Sequence, residues 1–302
     1  MSPSISIVIP AKNEARSLEK LLPNIVRLYP DAEVIVVNDG STDETINVCE
    51  DIGVRVITHN YSKGNGAAVK TGARAATGDI LVLMDGDGQH RPEDIKLLLD
   101  KYNEGYHLVV GARKRGSQAS KGRWVANSVY NRLASWMVEH LVEDLTSGFR
   151  VVNISKFREF IHLLPNGFSY PTTSTMAFFR AGYSVGYVSI RVDKRVGESH
   201  IRLLKDGTRF LLIIFKIGTL YSPLKLFFPI SLLFLVTGIF YYLYTFIDSG
   251  RFTNMSALLL STSVIIFLIG LVSEQITQLT FKTEVGDTNN IKKKEGQRRG
   301  SR

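Results

Sequence analysis

A single cysteine, Cys49, stands in 302 residues. One thiol excludes an intramolecular disulfide and cannot build a zinc cluster, so Cys49 reads as a helix-face residue without special chemistry. The amino-terminal stretch MSPSISIVIPA lacks a basic lead and a long apolar run, and is expected to be a strand, not a cleavable signal peptide. Charge is missing over one long interval: Leu226 to Ile247 is twenty-two residues without a charge. As a helix, that run rises about 33 Å, which matches a hydrocarbon core of about 30 Å. A second uncharged run, Met255 to Ser273, ends at Glu274 and is also long enough to span.

Basic residues flank these runs. Arg202, Lys205, Arg209, Lys216 and Lys225 precede the first, and Lys282, Lys292, Lys293, Lys294, Arg298, Arg299 and Arg302 follow the second. The short connection between them holds only Asp248 and Arg251 as charges. By the positive-inside rule both termini, and the domain before the spans, are expected on the cytoplasmic side. The net charge of +9 then reads as membrane-facing, since no RNA-binding signature accompanies it and no nucleic-acid partner is expected.

The first two hundred residues have a different texture. Short β-branched runs at Ser4–Ile9, Glu33–Val37, Arg55–Thr58, Ile80–Met84 and Leu108–Gly111 alternate with helical spacing. Leu18, Leu21, Leu22, Ile25 and Leu28 mark one helix, which Pro23 is expected to kink or shorten. Further helices are expected at Asp43–Ile52 and Ala67–Ala76. Strands alternating with helices predict an α/β domain with a mainly parallel sheet flanked by helices. The run GNGAAVKTG, Gly64 to Gly72, follows the third strand without an acidic partner at the right distance, so it reads as a helix start and not a dinucleotide loop.

In such sheets ligands bind beyond the carboxyl ends of the strands. There the first strand runs into PAKNE (Pro10 to Glu14), the second into NDGSTD (Asn38 to Asp43) and the fourth into DGDGQ (Asp85 to Gln89). Glu14, Asp39, Asp85 and Asp87 are thus expected at one edge, where unscreened carboxylates would repel. A hard divalent cation, Mg²⁺ or Mn²⁺, would supply the counter-charge.

PAKNE, VVNDGSTDET, DGDGQHRPED, DLTSGFR (Asp144 to Arg150) and RVGESH (Arg195 to His200) occur in that order, and over residues 4 to 205 they resemble the family-2 glycosyltransferases of GT-A fold. Within these the chain looks most like the dolichyl-phosphate mannose synthases and polyprenyl-phosphate glycosyltransferases. The resemblance implies that Pro10, Lys12, Glu14 and Asp39 hold the nucleotide of a nucleotide-sugar donor. It implies that Asp85, Gly86 and Asp87 form the D-x-D element for metal and donor diphosphate, with Gln89 as the third metal-side position. Asp144 falls where a base-like catalytic role is usually assigned, beside Asp87. Lys194 or Arg195 would reach the donor phosphates; His200 stands in place of the usual lysine and titrates near neutrality.

A metal bridging the diphosphate would neutralise charge on the leaving group as the glycosidic bond breaks. A lipid phosphate acceptor is largely ionised at pH 7, its second pKa lying near ~6, and needs positioning more than deprotonation. Among Arg113, Arg115, Arg123 and Arg150, the preferred guanidinium pair for it is Arg123 and Arg150. The basic and apolar segment from His200 to Leu226 suits the membrane interface.

The expected organisation is a cytoplasmic GT-A catalytic domain over 1–200, an interfacial amphipathic segment over 201–225, transmembrane helices over 226–247 and 255–281, and a basic cytoplasmic tail over 282–302. The expected activity is metal-dependent, inverting transfer of one sugar, from GDP-mannose or a UDP-hexose, to a dolichyl or undecaprenyl phosphate. Alternatives are a processive polysaccharide synthase, for which the Q-x-x-R-W motif is missing, and a non-enzymatic membrane adaptor. Homo-oligomerisation is left open.

Overall fold

The computed structural model of the chain describes residues 3–113, 121–167, 169–192, 215 and 218–299, with side chains for all of these except 121–127 and 280–299. Two compact units emerge, Met1–Ile201 and Arg202–Arg302.

The first unit is a seven-stranded sheet of order β3-β2-β1-β4-β6-β5-β7. Its strands are β1 (Ile5–Ala11), β2 (Glu33–Asn38), β3 (Arg55–Thr58), β4 (Ile80–Leu83), β5 (Leu108–Arg113), β6 (Arg150–Asn153) and β7 (Val185–Ile190). The helices are α1 (Ala15–Leu28), α2 (Thr45–Ile52), α3 (Asn65–Ala75), α4 (Asp94–Asn103), α5 (Lys121–Val138), α6 (Ile154–Glu159) and α7 (Tyr170–Arg180). Only β6 runs antiparallel to its neighbours β4 and β5. β1, β2 and β4 are buried along almost their whole length because helices cover both of their faces. Ile7, Ile9, Val34, Val36 and Val82 form one core with α1, α2 and α4, while Val8 and Val37 face α3 across Gly72.

Five expected strands and three expected helices recur close to their expected bounds. Pro23 does not shorten its helix: α1 runs unbroken through it. A mid-helix proline costs about 3 kcal/mol, and burial of Leu18, Leu21, Leu22 and Ile25, each contributing about 1.5–3 kcal/mol, outweighs that. β6 and β7 were not expected. Cys49 lies buried in the core, where desolvation pushes its thiol up to about 11 and leaves it unreactive.

The second unit is a helical hairpin of α8 (Pro223–Ser249) and α9 (Asn254–Arg299). Pro223–Ser249 and Asn254–Leu279 are long and apolar enough to cross a membrane. Gly250, at φ 66°, ends α8 in the left-handed region and donates to Phe246 O. Ser231 Oγ donates to Ser263 O at 3.0 Å and Ser263 Oγ returns to Ser231 O at 2.9 Å. Small residues let the helices approach: a Cβ on Gly270 would sit 2.8 Å from Phe227 Cβ. Most of the expected interfacial segment 201–225 lies outside the described residues.

Candidate active site

The loops after β1 and β2 are buckled together by their own polar side chains. Asn13, at φ 56°, donates its N–H to Ser41 Oγ at 2.9 Å, and its Oδ1 accepts from Thr42 N at 2.8 Å. Asp43 accepts from Ala15 N at 3.2 Å and from Thr45 Oγ1 at 2.5 Å. The asparagine and aspartate of these motifs therefore shape the loops, leaving Lys12 exposed at the rim.

Asp39 goes inward. Its Oδ1 meets His59 Nδ1 at 2.7 Å and Lys63 N at 2.8 Å; its Oδ2 accepts from Ser62 Oγ and Gly64 N, each at 2.8 Å. The other His59 nitrogen meets Thr71 Oγ1 at 2.9 Å on α3. Burial alone would raise the Asp39 pKa, but the bonds from His59, Lys63, Gly64 and Ser62 hold it below the ordinary value. Four donors occupy its four lone-pair sites, so Asp39 fixes the 61–64 loop.

After β4, Gly86 N donates to Pro10 O at 3.3 Å, and Gly88 turns the chain at φ 71°. Asp87 Oδ1 accepts from Gln89 N at 3.2 Å. Asp85 is packed from behind: a Cβ on Gly148 would lie 2.5 Å from its Oδ2. Buried His90 stacks on Phe149, centroids 5.0 Å apart, with Nε2 3.9 Å from Asp85 Oδ2. Desolvation brings His90 down to about 4, so it is neutral near pH 7.

Pro10, Lys12, Glu14, Asp39, Asp85, Gly86 and Asp87 all line one cavity of about 370 Å³, together with Thr146, Gly148, Tyr170 and Pro171. The four carboxylates share this cavity but not a metal cage. Among the described residues no group of three or more His, Cys, Asp or Glu side chains is placed to hold an ion. Asp39 is committed to its loop, and Gln89 is not among the residues lining the cavity. A divalent ion held by one or two carboxylates and completed by substrate phosphates needs no such cage, so Asp85 and Asp87 fit one.

Asp144 and Arg150 take roles the motifs do not reveal. Asp144 is buried and bonded bidentately by Arg113, Nε to Oδ2 at 2.7 Å and Nη2 to Oδ1 at 2.9 Å, with Thr146 N adding a third contact at 3.1 Å. Burial raises its pKa, but Arg113 outweighs burial and holds it low. A carboxylate so stabilised has little affinity for a proton, which argues against the expected base role. Arg150 is fully buried on the α7 side of β6. Its guanidinium donates to Ser147 O, Ser174 Oγ and Thr175 Oγ1, each at 2.8 Å. It ties the 144–149 loop to α7, and with no exposed surface it cannot meet a lipid phosphate. Of the other expected site residues, Lys194, Arg195 and the side chain of Arg123 lie outside the described residues.

The glycines of GNGAAVKTG also find a structural use. Gly66 N donates to Gly167 O at 3.2 Å and Ala67 N to Asn166 O at 3.0 Å. The first amides of α3 are thus taken by the turn that leads into α7.

The family described as "Glycosyl transferase family 2" matches residues 6–181, more than half of the chain. The chain belongs to it. A second family, the "GtrB C-terminal hairpin", matches residues 222–279, which are α8 and the apolar part of α9. The chain is therefore a glycosyltransferase, and its C-terminal hairpin is long and apolar enough to cross a membrane.

Among relatives, it is 26% identical over 298 residues to a putative glycosyltransferase, CsbB, of Bacillus subtilis, covering 93% of this chain and 88% of that one. It is 35% identical over 115 residues to a dolichol-phosphate mannosyltransferase of Pyrococcus furiosus, covering 36% of this chain and 33% of that one. Among solved structures, the glucosyl-3-phosphoglycerate synthase of Mycobacterium tuberculosis in complex with Mn²⁺ and UDP-glucose aligns with a TM-score of 0.58. That match has 24% identity, covers 72% of this chain and 78% of that one, and shows the shared GT-A fold.

Proposed function

We propose that this enzyme transfers a single sugar from a nucleotide-sugar to a polyprenyl phosphate, with inversion, at the cytoplasmic face of a membrane. The observation that carries this reading is the cavity lined by the first loop, Asp85 and Asp87, in a chain that also carries the GtrB-type hairpin. A dolichol-phosphate mannosyltransferase among the relatives supports the acceptor class.

Asp85 and Asp87 would hold Mg²⁺ or Mn²⁺ against the donor diphosphate. When bound, the ion supplies neutralisation of charge on the departing nucleotide. Gly148 and Phe149 keep the Asp85 carboxylate in place, the first by leaving room for it and the second by seating His90 beside it. The loop fixed by Asp39 and the clasp of Asn13 hold the walls where the nucleotide would lie.

The acceptor enters as a dianion or nearly so and attacks directly, so no base is required and a single displacement inverts the anomeric centre. In this reading Asp144 orients Arg113, and Arg113 takes the phosphate-positioning role that buried Arg150 cannot fill. Arg123, with Lys194 or Arg195, remains assigned to acceptor and donor phosphates respectively. The arginine- and lysine-rich flanks of the hairpin support a cytoplasmic position for both termini.

Thermal-shift screening of the detergent-solubilised protein with GDP-mannose, UDP-glucose and UDP-GlcNAc in Mn²⁺ tests the donor half. Stabilisation by one donor, lost on chelation of the ion, is expected. No shift with any of the three would contradict it.

A further inference from the structure

Helix α5, KGRWVANSVYNRLASWMV, carries three basic residues, Lys121, Arg123 and Arg132, and no acid. It also carries both tryptophans of the chain, Trp124 and Trp136. Its inner face is plain: Tyr130, Ala134 and Met137 are buried. The flank beside it is unusual for a soluble surface. Val129, Arg132, Leu133 and Trp136 fall on one stripe at helical spacing. Val129 is 60% exposed and Trp136 48%, and Leu141 just beyond the helix is 74% exposed. A polar face would be expected on a helix that looks into water.

We propose that this stripe rests on the lipid surface, as a membrane contact of the catalytic unit separate from the hairpin. Three features point to lipid as the occupant. The chain is already held at a bilayer by two apolar helices, so the stripe needs little affinity of its own. Its composition, an indole and aliphatic side chains around an arginine, is that of interfacial helices. α5 itself holds basic residues and no acid, the exposed Glu139 and Glu143 lying beyond its end, so Arg132 on the stripe suits anionic headgroups. The contact would also bring the 144–149 loop, whose Leu145 N donates to Asn131 Oδ1 of α5 at 3.1 Å, toward the layer that holds a lipid-borne acceptor. The inference depends on membrane attachment and not on which lipid accepts the sugar.

The spans contain no tryptophan, so indole fluorescence reports on α5 and is blind to hairpin insertion. Full-length protein carrying Trp124→Phe, with Trp136 as its sole tryptophan, is reconstituted into phosphatidylcholine and phosphatidylglycerol vesicles with or without bromine near the carbonyl end of the acyl chains. Loss of most Trp136 emission in the brominated vesicles is expected, with a weaker loss after Arg132→Glu. Equal emission in both vesicles would overturn the proposal. Emission that ignores bromine but changes as protein is diluted with lipid would also overturn it, assigning the stripe to a second copy of the chain. Alkali-resistant retention in the vesicles, measured on the same samples, reads hairpin insertion separately.

Discussion

Gly148 shows how one missing side chain can govern a site. It contributes no functional group, yet a Cβ there would stand 2.5 Å from Asp85 Oδ2, closer than a carbon and an oxygen can approach. Gly148→Ala must therefore push the Asp85 carboxylate out of place. Transfer activity is expected to fall by about 100-fold, the scale of losing one preorganised electrostatic group, with thermal stability little changed. Wild-type activity in this variant would mean that Asp85 is not held as described. The D-x-D spacing made Asp85 and Asp87 legible from sequence, because spacing on a loop after a buried strand fixes where they emerge. Asp39 and Arg150 were not legible in the same way. Asp39 points inward because Ser62 and the Lys63 and Gly64 amides converge on it, and those partners lie more than twenty residues away. Arg150 was expected to meet the acceptor phosphate because it closes the DLTSGFR segment. Its alternation with Val151, which faces the apolar core on the other side of the sheet, sends it beneath α7 instead.

At the scale of elements, the apolar strands and amphipathic helices that build the cavity walls followed from local pattern, since each carries its own period. β6 and β7 did not. β6 has four residues and opens with an arginine, and β7 is a partly exposed edge strand containing a glycine, so their pairing is decided by neighbours. The start of α3 was legible as a helix opening with small residues, and the structure adds why they are small: a Cβ on Gly66 would lie 2.1 Å from Pro165 O, and the amides there serve the 165–167 turn. Gly66→Ala is expected to destabilise the catalytic unit by about 2 kcal/mol or more through overpacking against backbone. Unchanged thermal unfolding of the purified variant would show that the turn does not dock on α3.

For the whole molecule, the division into an α/β unit and a pair of long apolar helices was legible because it rests on composition over twenty residues and more. The sugar was not, since the first loop and Asp39 are shaped by contacts among themselves and present little that distinguishes one nucleotide from another. In the proposed reaction this cavity passes one sugar to a membrane lipid with the help of Asp85 and Asp87. Membrane fractions containing the protein, given radiolabelled nucleotide-sugars, Mn²⁺ and polyprenyl phosphate, measure that directly. A lipid-linked product bearing a single sugar is expected, abolished by metal chelation and reduced about 100-fold or more by Asp87→Ala. No lipid-linked product with any common donor, or a product that lengthens with time, would contradict it.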